Sequence, residues 1–333
     1  MDLGGLLEVL RQYSGLLDRV TSLHPTRVVG HVNVTGGEPL IRDDWFCLLE
    51  ALRAAEPKVT FGVLTNGSLI RFSAAWRLRE LRPRFVQVSI EGSEATHESI
   101  RGRGDYRSVL SALGSLVCLG VPTSVSFTAH KRNYREFPDV VRCARRLGAS
   151  WVWTDRLIPA GYGAGLESLE LSEVKEYVGI VRSAQEEAER SWLTRTRVRL
   201  GRALQFLAGG PVYHCSAGDE LITILANGDV CPCRRMPVRV GNVLAERLTD
   251  IYFDSPFLKA LRDPSRVARG CEACPHERDC RGGLRCLAFA LEEDPFRADP
   301  GCWLAAGAVA KAQPLDGRAG TAPTPRIRSP TPL

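Results

Sequence analysis

Two rhythms of apolar and polar positions alternate along the first half of the chain. A stretch at about 3 to 22 spaces its apolar residues as one face of a helix does, and "RVVGHVNV" (27–34) then alternates them at every second position, as a strand does. "DDWFCLLEALRAA" (43–55) returns to the helical period, opened by aspartates and closed before Pro57. The cycle repeats with predicted strands at "KVTFGVL" (58–64), "RFVQVSI" (84–90), "TSVSFTA" (123–129) and "WVWTDRL" (151–157). Between them lie predicted helices at "RFSAAWRLREL" (71–81), "YRSVLSALGSLVCLG" (106–120) and "FPDVVRCARRLG" (137–148). Five strands separated by helices demand a parallel sheet with right-handed crossovers, because a parallel neighbour is reached only by crossing the sheet face. The long charged helix "SEVKEYVGIVRSAQEEAERSW" (172–192) closes this first domain, taken as 1–205.

From about 211 the periodicity fades, and helical pattern returns only at "SPFLKALR" (255–262) and "CLAFALEED" (286–294). Cysteine crowds in instead: three of the eleven (Cys47, Cys118, Cys143) precede residue 215, and eight lie between Cys215 and Cys302. So short and loop-rich a unit, 211–304, buries too little apolar area to hold itself and reads as metal-stabilised. The early three read as small hydrophobes in helical patterns. The tail, 305–333, is rich in Pro, Ala, Thr and Arg and is expected to be disordered.

Composition adds little beyond class. With 44% hydrophobic and 25% charged residues in 333, the chain is an ordinary globular protein. Its net charge of +6 is scattered, without the interleaved aromatics of a nucleic-acid surface, so no nucleic-acid partner is expected. No apolar run reaches the roughly 18 residues of a membrane span, and "MDLGGLLEVL" lacks the basic start of a secretory signal, so a cytoplasmic protein without a membrane partner is expected. In that reducing compartment clustered cysteines are metal ligands before they are disulfides.

Chemistry in parallel α/β folds gathers at the carboxyl ends of strands. Here the first strand ends in Gly36-Gly37-Glu38-Pro39, the second in Thr65-Asn66-Gly67, and the third in Ser89-Ile90-Glu91-Gly92, with Arg101 soon after. A Gly-Gly pair can simply turn the chain. Bare backbone beside a carboxylate also suits the ammonium end of a bound amino acid, with Glu38 as charge-assisted acceptor. Asn-Gly is a hairpin signal, but a helical pattern follows Gly67 in place of a partner strand.

The cysteine spacing is more specific. Cys215 is followed by Gly228 and Cys233, with Cys231 just before; then come Cys271, Cys274 and Cys280 as C-x2-C-x5-C, and finally Cys286 and Cys302. Eight thiolates make two four-cysteine sites, and the count fits two zinc ions or two iron-sulfur clusters equally well. Gly282 and Gly283 read as a tight turn between ligands, and His214 and His276 as bystanders to the thiolates.

Together these residues resemble the radical S-adenosylmethionine (SAM) superfamily, in particular members with a C-terminal SPASM domain, over roughly residues 1 to 304. The resemblance implies a partial (β/α)6 TIM-like barrel, here lacking its first strand, followed by a small cysteine-rich SPASM domain. "TGGEPL" implies that Gly36, Gly37 and Glu38 hold the methionine moiety of SAM; "VLTNG" places Asn66 near it, and "VQVSIEGSEATHESIRG" brings Ser89, Glu91 and Arg101 towards ribose or carboxylate. It also implies two auxiliary 4Fe-4S clusters, one on Cys271, Cys274, Cys280 and Cys302, the other partly on Cys215 and Cys233. Where the family has a cysteine four after Cys280 this chain has Leu284, and Cys286 with Cys231 is expected to complete the set.

The implied activity is radical-based maturation of a peptide, enzyme or peptide-derived cofactor, with a peptide or protein substrate and an electron donor such as a flavodoxin or ferredoxin. The family's CxxxCxxC loop, whose cluster cleaves SAM to a 5'-deoxyadenosyl radical, has no counterpart before Cys47. Two expectations therefore stand side by side, a start codon set too far downstream or a degenerate, non-catalytic binding or electron-transfer partner of a complete maturase. A zinc-stabilised scaffold is the third.

Overall fold

The computed structural model describes residues 1–190 and 196–305. Its first unit runs α1 (Leu3–Ser22), β1 (Gly30–Val34), α2 (Trp45–Ala54), β2 (Val59–Thr65), α3 (Phe72–Leu81), β3 (Val86–Ser89), α4 (Glu94–Arg101), α5 (Asp105–Cys118), β4 (Thr123–Ala129), α6 (Phe137–Leu147), β5 (Trp151–Arg156), α7 (Leu171–Arg190) and β6 (Arg197–Arg199). The six strands neighbour one another in chain order and every pair is parallel, with Gly30 opposite Val59 at one end and Trp151 opposite Arg197 at the other. Sequential parallel strands with helices on one face curl into a partial barrel whose carboxyl ends share one rim. Phe61, Val63, Val86, Val88, Val125, Phe127 and Val152 fill the sheet core, against Leu113 and Leu116 of α5.

Six strands stand where five are predicted. The added one, β6, is only Arg-Val-Arg with Val198 alone buried, too short for alternation to register. The long charged helix predicted for 172–192 is described as far as Arg190, and its last two residues lie outside the described residues. α4 was also not predicted; it starts where Ser93 Oγ accepts the Thr96 N–H, an N-cap hidden inside a polar segment. Among the described residues β1 is an edge, and α1 lies across it: the Tyr13 hydroxyl accepts the His31 N–H at 3.2 Å.

The second unit holds an antiparallel sheet, β7 (Thr223–Ile224), β8 (Asp229–Cys231) and β9 (Gly241–Asn242), then α8 (Leu248–Asp254), α9 (Pro256–Arg262), α10 (Glu277–Cys280) and α11 (Arg285–Glu292). Part of its core is borrowed. Leu16 of α1 packs with Val230, Val243, Leu248 and Ile251, and the Gln12 side chain donates to the Val243 carbonyl and accepts from the Leu248 N–H. The tail expected to be disordered lies, apart from Ala305, outside the described residues.

A buried ion pair joins the two units. Arg156, at the end of β5 and 3% exposed, sends both guanidinium branches to the Asp299 carboxylate, also 3% exposed. A Cβ on Gly301 would collide with Arg156 Nη1 and displace the guanidinium from this pair. Next to it Asp155 accepts from Arg235; burial alone would push the Asp155 carboxyl up, but the guanidinium groups of Arg235 and Arg202 outweigh it and hold it below the usual range.

Replacing Asp299 with alanine leaves a buried, unpaired guanidinium and is expected to cost about 3–5 kcal/mol. Arg107→Ala, which removes the exposed pair to Glu94, is expected to cost under about 1 kcal/mol. Chemical denaturation of the two variants side by side checks the contrast.

Candidate functional site

Glu38 does not stand free at the barrel rim. Its Oε1 accepts from the Thr65 hydroxyl at 2.7 Å and the Leu40 N–H at 3.2 Å, and its Oε2 from the Asn66 N–H at 2.8 Å. The carboxylate thus ties the loop after β1 to the end of β2, and of its roughly four acceptor positions it keeps one for a ligand. Gly36 and Gly37, just before it, are exposed; neither has a left-handed φ, and a Cβ on either would meet nothing within 4 Å. No intramolecular constraint asks for glycine at these two positions, which is the fit expected of a backbone rim kept bare for a ligand. Gly67 is the opposite case, with φ +85° and a Cβ position 2.8 Å from Val88 Cγ1. Beside it Asn66 Oδ1 accepts from both the N–H and the hydroxyl of Ser68, closing an Asx turn that leads into a helix, as predicted in place of a hairpin.

At the end of β3, Ser89 Oγ lies 3.2 Å from Ser126 Oγ on β4. Glu91, 4% exposed, turns inward: its carboxylate accepts from the Thr128 N–H and from Arg101 Nη2. The geometry therefore pairs Glu91 with Arg101, leaving the partly exposed guanidinium as the group that faces outward. Two residues that sequence reasoning missed build this corner. The buried His97 accepts the Glu91 N–H on Nδ1, which places its proton on Nε2 facing Asp105 Oδ2 at 2.9 Å. The buried Asn133 donates to the carbonyls of Glu91 and Thr128. Their only sequence signal is polarity within segments that otherwise read as loop.

In the second unit Cys271, Cys274, Cys280 and Cys302 line one small cavity of about 20 Å³, with Phe206 and His276 on its wall. Burial, and then the other thiols, push Cys271 up to about 12; burial, Cys302 and Asp299 push Cys280 up to about 11. Among the described residues no three Cys, His, Asp or Glu side chains converge closely enough to hold one metal ion. Four thiols around one cavity are the soft donor set that a 4Fe-4S cluster takes, one thiolate to each iron, and that a zinc ion takes as well. Gly282 and Gly283, both at positive φ, turn the chain between donors as predicted.

Cys215, Cys233 and Cys286 pack in a second group with Met236, Leu258 and Leu284. Buried Cys231 sits on β8; burial, then Asp229 and Cys233, push its thiol up. Leu284 fills its position as a core residue and gives its N–H to Asp299. Of the early cysteines only Cys143 is buried, 3.9 Å from the Tyr106 hydroxyl; Cys47 and Cys118 are exposed on the outer faces of their helices, contrary to their reading as small core hydrophobes.

Residues 11–144 match the radical SAM superfamily, and residues 215–275 match SPASM, described as an iron-sulfur cluster-binding domain. The mycofactocin maturase MftC of Mycobacterium ulcerans (strain Agy99) is 29% identical over 336 residues, spanning 95% of this chain and 84% of that protein. The PqqA peptide cyclase of Methylobacterium sp. (strain 4-46) is 28% identical over 303 residues, 82% of this chain and 73% of that protein. Among solved structures, Streptococcus suis SuiB bound to S-adenosylmethionine superposes with a TM-score of 0.66 at 18% identity, covering 86% of this chain and 68% of that one. SuiB bound to precursor peptide SuiA gives 0.65 at 18% identity, with 87% and 67% covered. At that identity the likeness is one of fold.

Gly36→Ala and Gly37→Ala are expected to leave the unfolding free energy within about 1 kcal/mol, since alanine fits both positions. Gly67→Ala is expected to destabilise by more than that, being strained and crowded. Urea denaturation of the three variants gives the comparison.

Proposed function

The chain is a radical SAM protein with a SPASM domain, and from that premise we propose that it carries out radical-based maturation of a peptide, enzyme or peptide-derived cofactor. The observation that supports this reading is the gathering of four cysteines around one cavity, locked through Arg156 and Asp299 to the rim that bears the bare Gly36-Gly37-Glu38 loop. We divide the chain accordingly into a barrel at 1–205 and a cluster domain at 211–304, with α1 serving both cores.

In this proposal Cys271, Cys274, Cys280 and Cys302 hold one 4Fe-4S cluster, and Cys215, Cys233 and Cys286 hold the other with Cys231, which lies outside their apolar cluster and is joined to them through Cys233. Gly36 and Gly37 offer main chain to the methionine end of SAM, and Glu38 offers its remaining acceptor position to the ammonium group. Ser89 and Asn66 flank the ligand, and Glu91 aims Arg101 at its carboxylate or ribose. When bound, the clusters supply one-electron transfer and SAM is the source of the radical. The substrate class is a peptide or protein, supported by the maturase and cyclase relatives and by SuiB with its bound precursor peptide. The electron donor is a small redox protein such as a flavodoxin or ferredoxin, and the compartment is the cytoplasm. No helix among the described residues is long and apolar enough to cross a membrane.

A second reading has a sequence observation behind it. None of the eleven cysteines falls in a CxxxCxxC triad, so these 333 residues equally suit a peptide-binding or electron-carrying partner of a complete maturase.

Anaerobic reconstitution is expected to yield about eight irons with matching acid-labile sulfide, and Cys274→Ala or Cys286→Ala about four. A zinc-replete chain without sulfide overturns the proposal. Release of 5'-deoxyadenosine from SAM and a reductant by these 333 residues overturns the partner reading; SAM binding without that product is the outcome expected from a chain that holds no CxxxCxxC triad.

A further inference from the structure

Three arginines stand inside or against the cluster domain with their charges largely withdrawn from water. Arg156 has Asp299, and Arg235 has Asp155. Arg285 has no such partner. It is 4% exposed, its Nη1 donates to the Leu261 carbonyl at 2.7 Å, and no carboxylate lies within ion-pair distance among the described residues. Burial works against its charge, Arg281 and then Arg266 act on it with the same sign, and Asp219, which falls between those two in strength, opposes them from beyond ion-pair reach. A buried cation without a counter-ion is costly enough that folded proteins seldom keep one. Arg285 is adjacent to Cys286 in the chain, and its charge and the Cys215 thiol bear on each other. A cluster held by thiolates carries net negative charge, the complement this guanidinium lacks.

The other cysteine group has the reverse surroundings. Its cavity is lined by Glu277 and Asp299, Glu272 acts on Cys271, and the one guanidinium that reaches Asp299 is already paired with it. Positive charge beside a cluster favours the reduced, more negative state, and negative charge favours the oxidised one.

We propose that the Arg285 guanidinium is the built-in counter-charge of the cluster at Cys215, Cys233 and Cys286, holding it at a higher reduction potential than the cluster at Cys271, Cys274, Cys280 and Cys302. This rests on the ligand assignment proposed above. Arg285 is a positioning residue here: it touches neither substrate nor SAM, and sets which of two otherwise alike centres is reduced first.

The test uses the full chain, reconstituted anaerobically, with iron analysis and a redox titration followed by electron paramagnetic resonance; Cys274→Ala assigns the two signals. Arg285→Gln keeps a donor for the Leu261 carbonyl but removes the charge, and Arg285→Lys keeps the charge. Two separate midpoints are expected in the unsubstituted chain. Arg285→Gln should lower one of them and leave the other in place, and Arg285→Lys should restore it. Loss of half the iron in Arg285→Gln but not in Arg285→Lys supports the same role. A full iron complement with unmoved midpoints in Arg285→Gln overturns the proposal, as does equal iron loss in both variants, which marks a packing role. Failure of the unsubstituted chain to bind iron at all brings down the ligand assignment instead.

Discussion

The carboxylate of Asp299 is the point through which the two units are held in register. It takes both branches of Arg156 from the end of β5, the N–H of Leu284 that opens α11, and the N–H of Gly301, while its own carbonyl accepts from the Cys302 N–H. One buried group thereby sets the distance from the barrel rim to a thiol of each cysteine group, Cys302 directly and Cys286 through α11. Burial of so many hydrogen-bonded polar atoms is tolerable only because all of them are satisfied together.

The rim shows the same economy in another form. Glu38 and Glu91 both lie where strand ends could present them to a ligand, yet Glu38 accepts from the Thr65 hydroxyl and the N–H groups of Leu40 and Asn66, and Glu91 from the Thr128 N–H and Arg101. What they present is indirect: a loop of bare main chain in one case, an aimed arginine in the other. Preorganised donors and acceptors of this kind need little rearrangement when charge arrives. The conformation of the rim is therefore an outcome of the sheet itself, since Thr65, Asn66 and Thr128 are strand-end residues whose positions the parallel register dictates.

Much of this was legible in the chain before any coordinates. The alternation of periods revealed five strands and their parallel order, and cysteine crowding marked off a second unit after them. What escaped was whatever depends on long-range pairing. β6 has a single buried residue and exists because β5 offers it an edge. α8 is only seven residues long and is stabilised by packing on α1 from the far end of the chain. The resemblance brings Glu91 towards the ligand; what the chain alone does not tell is that its carboxylate holds the Thr128 N–H and the Arg101 guanidinium. Cys47 and Cys118 were misjudged because a short apolar neighbourhood does not say which side of a helix a residue occupies.

The sharing of α1 between the two cores has a consequence for biosynthesis. Gln12 meets Val243 and Leu248, and the amino terminus reaches the Ala226 carbonyl, across separations of more than 220 residues. At roughly 5–20 residues per second, the ribosome emits those partners on the order of ten seconds or more after α1 has emerged. During that interval the apolar stripe of α1 is covered only on its barrel side, so this helix is a point at which the nascent chain is exposed to chaperones and to aggregation.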